Sequence, residues 1–70
     1  MPITRQDVHA INNLLNKITI TCGGMKDMLE TDPLETLSAD KLKQINAELI
    51  KAFSSMEQAA IDASNIAFKV

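Results

Sequence analysis

The chain has 70 residues, of which 46% are hydrophobic and only two are aromatic. Seven basic against nine acidic residues give a net charge of −2 without a basic run, so strong electrostatic attraction to nucleic acid or anionic lipid is excluded. A chain of this length forms one small domain that buries a modest fraction of its surface, and association with further chains is a common remedy.

The cellular setting follows from the single cysteine and from the absence of long apolar runs. Cys22 alone excludes an internal disulfide and a multi-cysteine zinc site, and it fits a reducing cytoplasm. We expect it to be a buried small hydrophobic residue. No signal peptide and no run of about eighteen apolar residues is present, so we expect a cytoplasmic segment without membrane contact.

The first predicted helix covers about residues 5–31. Thr4 is placed to cap its beginning, with Asp7 three residues later completing a capping box. Pro33 cannot continue the helix and biases Asp32 away from helical angles. The helix is therefore expected to end at about Thr31.

The second predicted helix covers about residues 39–68, after a turn at about residues 32–38. Ser38 offers the N-cap, and Asp40 lies in the first turn, where the helix dipole favours a carboxylate. A connection this short makes the two helices antiparallel neighbours. The sequence thus predicts a single all-α domain over residues 1–70, an antiparallel helical hairpin.

Both predicted helices carry an unbroken apolar stripe with intervals of three and four residues. The stripe of the first helix contains Val8, Ile11, Leu15, Ile18, Cys22, Met25 and Leu29, and that of the second contains Leu42, Ile45, Leu49, Ala52, Met56, Ala59, Ala63, Ile66 and Val70. Such heptads are typical of left-handed bundle packing. Both stripes are wider than one partner helix needs, because Leu14, Met28, Phe53, Ala60 and Ala67 extend them. We therefore expect a homodimer whose two hairpins form a four-helix bundle.

Gly23 and Gly24 lie in the middle of the first predicted helix, where each costs about 1 kcal/mol relative to alanine. A packing accommodation or a bend explains such a pair, and so does a hinge. The first explanation is favoured, because an isolated glycine pair is weak support for motion.

The only histidine is the main candidate for chemistry. In the heptad that places Val8 at position a, His9 and Asn13 fall at the outward-facing positions b and f. They are four residues apart and therefore share one helical face, about 6 Å from each other. An exposed imidazole offers a nucleophilic nitrogen at physiological pH, and an amide one turn later can orient water or a phosphoryl oxygen. A solvated helix face without chemistry is the alternative.

The segment VHAINNLLNKI, residues 8–18, resembles the H-box of sensor histidine kinases, in the branch that reads His-Asp-Phe-Asn-Asn-Leu-Leu and then an aliphatic residue. The matching residues are His9, Asn12, Asn13, Leu14, Leu15 and Ile18. The resemblance implies a dimerisation and histidine-phosphotransfer domain in two-component signalling, with His9 as phosphoacceptor and Asn13 as the residue that assists transfer or dephosphorylation. It also implies a homodimer that works with a kinase ATP-binding domain or a response-regulator receiver domain. The chain itself would carry no cofactor, and Mg²⁺ would sit on the receiver.

Two positions depart from the motif. The family usually has Asp or Glu directly after the histidine, where this chain has Ala10, and Ile20 occupies the usual position of a glycine. No glycine-rich nucleotide loop or room for an ATP-binding domain is present, so the chain cannot autophosphorylate alone. Two alternatives stay open. One is a catalytically inert adaptor or kinase inhibitor of the same shape, which Ala10 favours, and the other is a generic oligomerising hairpin.

Other polar and apolar clusters predict less. Carboxylates gather around the turn without a histidine, which indicates a solvated loop rather than a metal site; they are Glu30, Asp32 and Glu35. Four apolar residues fall outside the main stripes and are expected to form an exposed patch, part of a dimer core or a docking surface; they are Ile20, Ile50, Ile61 and Phe68.

Overall fold

The fold is a pair of long helices joined by a short link, and the computed structural model describes residues 3–68. Helix α1 spans Arg5–Thr31, a short 3₁₀ helix spans Leu34–Thr36, and helix α2 spans Ala39–Ala67. Within residues 3–68 no strand occurs. The prediction of an all-α hairpin is therefore confirmed for the single chain.

The beginnings of both helices follow from local side-chain hydrogen bonds. The Thr4 backbone N–H donates to Oδ2 of Asp7 at 3.0 Å, and the Asp7 N–H donates to Oγ1 of Thr4 at 3.1 Å. This is the predicted capping box. At the start of α2, the Lys41 N–H donates to Oγ of Ser38 at 3.3 Å, as predicted for an N-cap serine.

The link between the helices is more ordered than a plain turn. The Asp32 N–H closes the end of α1 on the carbonyl of Met28 at 2.9 Å. Pro33 then starts the 3₁₀ turn, and its carbonyl accepts from both the N–H and the Oγ1 of Thr36, at 2.9 and 2.7 Å. These bonds hold the reversal that sets α2 beside α1.

The contact between α1 and α2 is centred on small residues of α2. The buried residues within 3–68 are Ala52, Ala59 and Ala63, which follow each other at intervals of seven and four residues. The half-buried residues of α1 include Ile11, Leu14, Ile18, Met25 and Met28. Alanine at the contact lets the helix axes approach closely, so larger side chains of α1 cover the seam.

Part of the predicted core stripe is not buried in the hairpin. Val8 and Leu15 are 48% and 49% exposed, and Leu42 and Cys22 are exposed as well. The expectation of a buried Cys22 is therefore wrong for the single hairpin. The reason is the width of the stripe, because α2 covers the edge marked by Leu14 and Met28 and leaves the other edge open. Val70, at the end of the second stripe, lies outside the described residues.

The glycine pair does not accommodate packing within the hairpin. A Cβ added at Gly23 or Gly24 would meet no atom within 4 Å. Helix α1 also continues through both residues without interruption. The favoured explanation is a packing accommodation or a bend. Contacts with α2 do not require the packing accommodation, and the bend stays a prediction.

The hairpin is long and one helix layer thick. Its principal extents are 53 × 17 × 12 Å and its radius of gyration is 16.0 Å, against about 11 Å for a compact domain of this length. Neither helix is long and apolar enough to cross a bilayer over the part of the chain that the structure describes.

Candidate functional site

His9 lies in the second turn of α1 and is exposed. The side of α1 that meets α2 is marked by Ile11 and Ile18, and a residue two positions before Ile11 is rotated from it by about 200° around the helix axis. His9 therefore lies on the far side of α1 from α2. The capping box at Thr4 begins the helix only five residues earlier and fixes the backbone that carries the imidazole.

Asn13 is also exposed, one turn after His9. A separation of four residues in a helix places two side chains on one face, with Cβ atoms about 6 Å apart. The structure thus places both predicted site residues on the outer wall of α1, adjacent to each other.

Arg5 extends the same row one turn toward the helix beginning, and the sequence interpretation did not single it out. It is the first residue of α1, is exposed, and precedes His9 by four residues, as Asn13 follows by four. A guanidinium binds phosphoryl oxygens in a bidentate manner. The four-residue spacing between Arg5 and His9 is the sequence signal that identifies it, given that the helix begins directly after Thr4.

No carboxylate lies one turn from His9. The residues three and four positions away are Arg5, Gln6, Asn12 and Asn13. Asp7 is nearest in sequence, but its carboxylate accepts the Thr4 N–H in the capping box. The positions one turn from the imidazole are therefore occupied by three amides and one cation.

Ala10 is half-buried on the flank of α1 toward α2. A carboxylate at this position would lose part of its hydration, and the structure offers it no cation one turn away, since Gln6 and Leu14 occupy those positions. The alanine is consistent with packing, and it leaves His9 without the acidic neighbour of the motif.

Ile20 continues the row of His9 three turns further along α1 and is 74% exposed. Ile50 and Ile61 are exposed too, but on α2, where each is rotated by about 180° from the alanine seam. The hairpin lies between Ile20 and these two residues. The predicted single patch, which also included Phe68, is therefore split between opposite sides of the molecule.

The carboxylates at the turn are exposed, and Glu30 lies 3.9 Å from Nζ of Lys26 in a solvated pair. Among residues 3–68 no group of three or more His, Cys, Asp or Glu side chains could hold a metal ion.

Comparison with protein-family models, with curated proteins and with solved structures finds no match for this chain.

Proposed function

We propose that this chain is a dimerisation and histidine-phosphotransfer domain of cytoplasmic two-component signalling. His9 would accept a phosphoryl group from a kinase ATP-binding domain or a phosphorylated receiver domain, and pass it on to a receiver aspartate. Two hairpins would pair into a four-helix bundle to form the working unit.

One observation carries the proposal: His9 is exposed on the outer wall of α1, with Asn13 one turn after it and no helix across from it. A phosphodonor must approach an imidazole nitrogen in line with the bond that breaks, so free access from solvent is the first requirement. A histidine whose side chain faced α2 would lack this access from solvent.

The chemistry assigned to the side chains is a simple displacement. A lone pair on an imidazole nitrogen of His9 attacks phosphorus and forms a P–N bond. The bond from phosphorus to the donor oxygen breaks, and that oxygen leaves with the electron pair on an aspartate carboxylate or on ADP. Asn13 would donate its amide N–H to a phosphoryl oxygen, and Arg5 would offset the added negative charge. Mg²⁺ would be held by the partner receiver.

A second candidate function is an inert binding module of the same shape, and Ala10 favours it. Without a carboxylate beside His9 the imidazole lacks the hydrogen-bonding partner that raises its nucleophilicity. Such a module would bind a kinase or receiver domain through the bundle surface without exchanging phosphate. Binding that survives His9→Gln would support this function.

The test phosphorylates the imidazole of His9 chemically and then measures transfer of the phosphoryl group to a receiver domain. The chain is treated with phosphoramidate, which phosphorylates exposed histidines, and is then mixed with a panel of purified receiver domains in Mg²⁺. We expect acid-labile, alkali-stable phosphate on His9 and its loss to at least one receiver within minutes. His9→Gln should carry no label, and Asn13→Ala should accept the label but pass it on more slowly.

A displaced histidine provides the matched control. The double variant His9→Gln/Ile61→His carries one exposed imidazole on the far side of α2, so it should be labelled by phosphoramidate and yet fail to transfer. Equal transfer from both positions, or none from His9 to any receiver, would contradict the proposal.

A further inference from the structure

An apolar groove lies along one side of the hairpin, in the half that contains the turn. Close to the turn it is lined by Leu34 of the link and by residues of α2, namely Leu42, Ile45, Asn46 and Leu49. Beyond Leu49, which lines both parts, the lining comes from both helices, with Cys22, Met25 and Leu29 of α1 and Phe53 and Met56 of α2. We call this surface the turn-side groove. From Leu42 to Met56 it measures about 21 Å, the length of a helix of about four turns.

Both rims of the turn-side groove carry a lysine. Lys26 lies on the α1 rim and Lys43 on the α2 rim, and no carboxylate is among the described residues that line the groove. Glu30 lies 3.9 Å from Nζ of Lys26, but the two side chains are 63% and 75% exposed, so the pair is solvated and weak. A lysine keeps its ammonium group in water while its stem covers apolar surface. The groove therefore offers an apolar floor between two positive edges.

The positive charge distinguishes this side of the hairpin from the other. Residues 8–26 of α1 contain no Asp or Glu, although the chain has nine acidic residues. The groove on the opposite side is lined by both Glu48 and Lys51, so its charges are mixed. A negatively charged partner therefore meets complementary charge only at the turn-side groove, among the grooves of the described residues.

We propose that the turn-side groove binds an amphipathic helix of a separate protein, whose apolar face is flanked on both edges by Asp or Glu. Helices are recognised in apolar grooves through side chains at intervals of three and four residues. A helix seated between α1 and α2 would cover Leu42, Leu49 and Phe53 and complete a three-helix bundle. Carboxylates along its two edges would lie beside Lys26 and Lys43, as charged residues flank the seam of a coiled coil.

This inference goes beyond the proposed function and needs no phosphoryl chemistry. Pairing of two hairpins would cover the same apolar surface, so an acidic helix would compete with a second copy of the chain. The partner would thus regulate pairing by mass action.

The first test compares two synthetic peptides on the wild-type chain. Each peptide spans two heptads with leucine at positions a and d, and the flanking positions e and g are glutamate in one peptide and lysine in the other. Like charges at e and g keep each peptide from pairing with itself. In fluorescence anisotropy we expect the acidic peptide to bind about tenfold more tightly, the sum of a few exposed charge pairs. The difference should shrink as salt screens these pairs. Equal affinity for the two peptides, or no binding of either, would overturn the proposal.

The second test reverses the charge of the rims. Lys26→Glu/Lys43→Glu should bind the basic peptide more tightly than the acidic one. The matched control is Lys17→Glu/Lys51→Glu, which changes the net charge equally. Lys17 is rotated by about 180° from Lys26 around α1, and Lys51 lines the opposite groove. The control should keep the preference for the acidic peptide, and an equal loss of preference in both double variants would contradict the assignment to the rims.

Sedimentation equilibrium distinguishes a partner helix from a second copy. Excess acidic peptide should give the mass of one chain with one peptide. A dimer whose mass the peptide leaves unchanged would show that a second copy holds the groove, and would overturn the proposal. A chain of single mass that binds the acidic peptide would support it while contradicting the pairing in the proposed function.

A lipid surface is the other negatively charged partner to test. Binding to phosphatidylserine vesicles that is lost in Lys26→Glu/Lys43→Glu, together with equal affinity for the two peptides, would assign the rims to a membrane and overturn the proposal. None of these experiments uses a phosphodonor, so their result is separate from that of the transfer experiment.

Discussion

The chemistry available to His9 depends on the side chains that share its face of α1. Arg5 lies one turn before it and Asn13 one turn after it, and all three are exposed. The Asp7 carboxylate is held in the capping box by the Thr4 N–H, 3.0 Å away. Under the proposed function, Arg5 and Asn13 would contact the phosphoryl group, and a partner domain would supply the activation of His9.

At the residue scale, we predict that Arg5→Gln weakens phosphoryl acceptance by His9 about two- to fivefold, the size expected for an exposed charge pair. The loss arises because the guanidinium no longer offsets the phosphoryl charge. A cation in the first turn interacts unfavourably with the helix dipole, so its removal should stabilise α1 slightly. Unfolding would therefore not explain the loss. The rate of labelling by phosphoramidate measures the effect.

The control for Arg5 is Lys17→Gln, which removes an exposed cation two turns after His9. It should leave the labelling rate unchanged. An equal loss in both variants would indicate a general effect of net charge and would remove Arg5 from the site.

At the scale of the element, Gly23 and Gly24 lower the stability of α1, and no contact within the hairpin requires a glycine at either position. Because a Cβ at Gly24 would meet nothing within 4 Å, Gly24→Ala should stabilise the fold by about 1 kcal/mol. Urea unfolding followed by circular dichroism measures this difference. A destabilising Gly24→Ala would show that another molecule, or a bend in α1, occupies the space beside this residue.

The reverse substitution in α2 calibrates this value. Ala47 is exposed in the middle of α2, so Ala47→Gly should destabilise the fold by a similar amount. If both variants move stability as expected while Gly24→Ala slows transfer from His9, the glycine serves the activity rather than the fold.

At the scale of the whole molecule, the single hairpin has a thin core. Its buried residues within 3–68 are three alanines, and alanine contributes little apolar area compared with leucine or phenylalanine. The larger apolar side chains in this range are half-buried or exposed. Stability should therefore depend on association.

We predict that the thermal midpoint of the wild type rises with protein concentration. That of Phe53→Glu should not rise, because the variant places a carboxylate in the exposed apolar groove that Phe53 lines with Cys22 and Leu49. The physical reason is mass action, because a partner that binds only the folded chain stabilises it. Circular dichroism melts at concentrations about a hundredfold apart measure the shift. A wild-type midpoint independent of concentration would mean that the hairpin is stable by itself.

The sequence by itself determined the helices and the direction of His9. The capping box of Thr4 and Asp7, the Ser38 cap and the stop before Pro33 are local interactions within a few residues, so the sequence contains them completely. The outward position of His9 and Asn13 follows from the heptad in the same way. The same spacing also predicts that Arg5 shares the face of His9, because Arg5 is the first residue after the N-cap.

Only the tertiary structure decided which edge of each broad apolar stripe the partner helix covers. Burying the edge with Leu14 or the edge with Leu15 satisfies the periodicity equally, because both remove apolar surface from water. The choice depends on how the 3₁₀ turn at Leu34–Thr36 rotates α2 and on where Ala52, Ala59 and Ala63 allow the helices to approach. It left Cys22 and Phe53 exposed on one side of the hairpin, which no pattern within a single helix could specify.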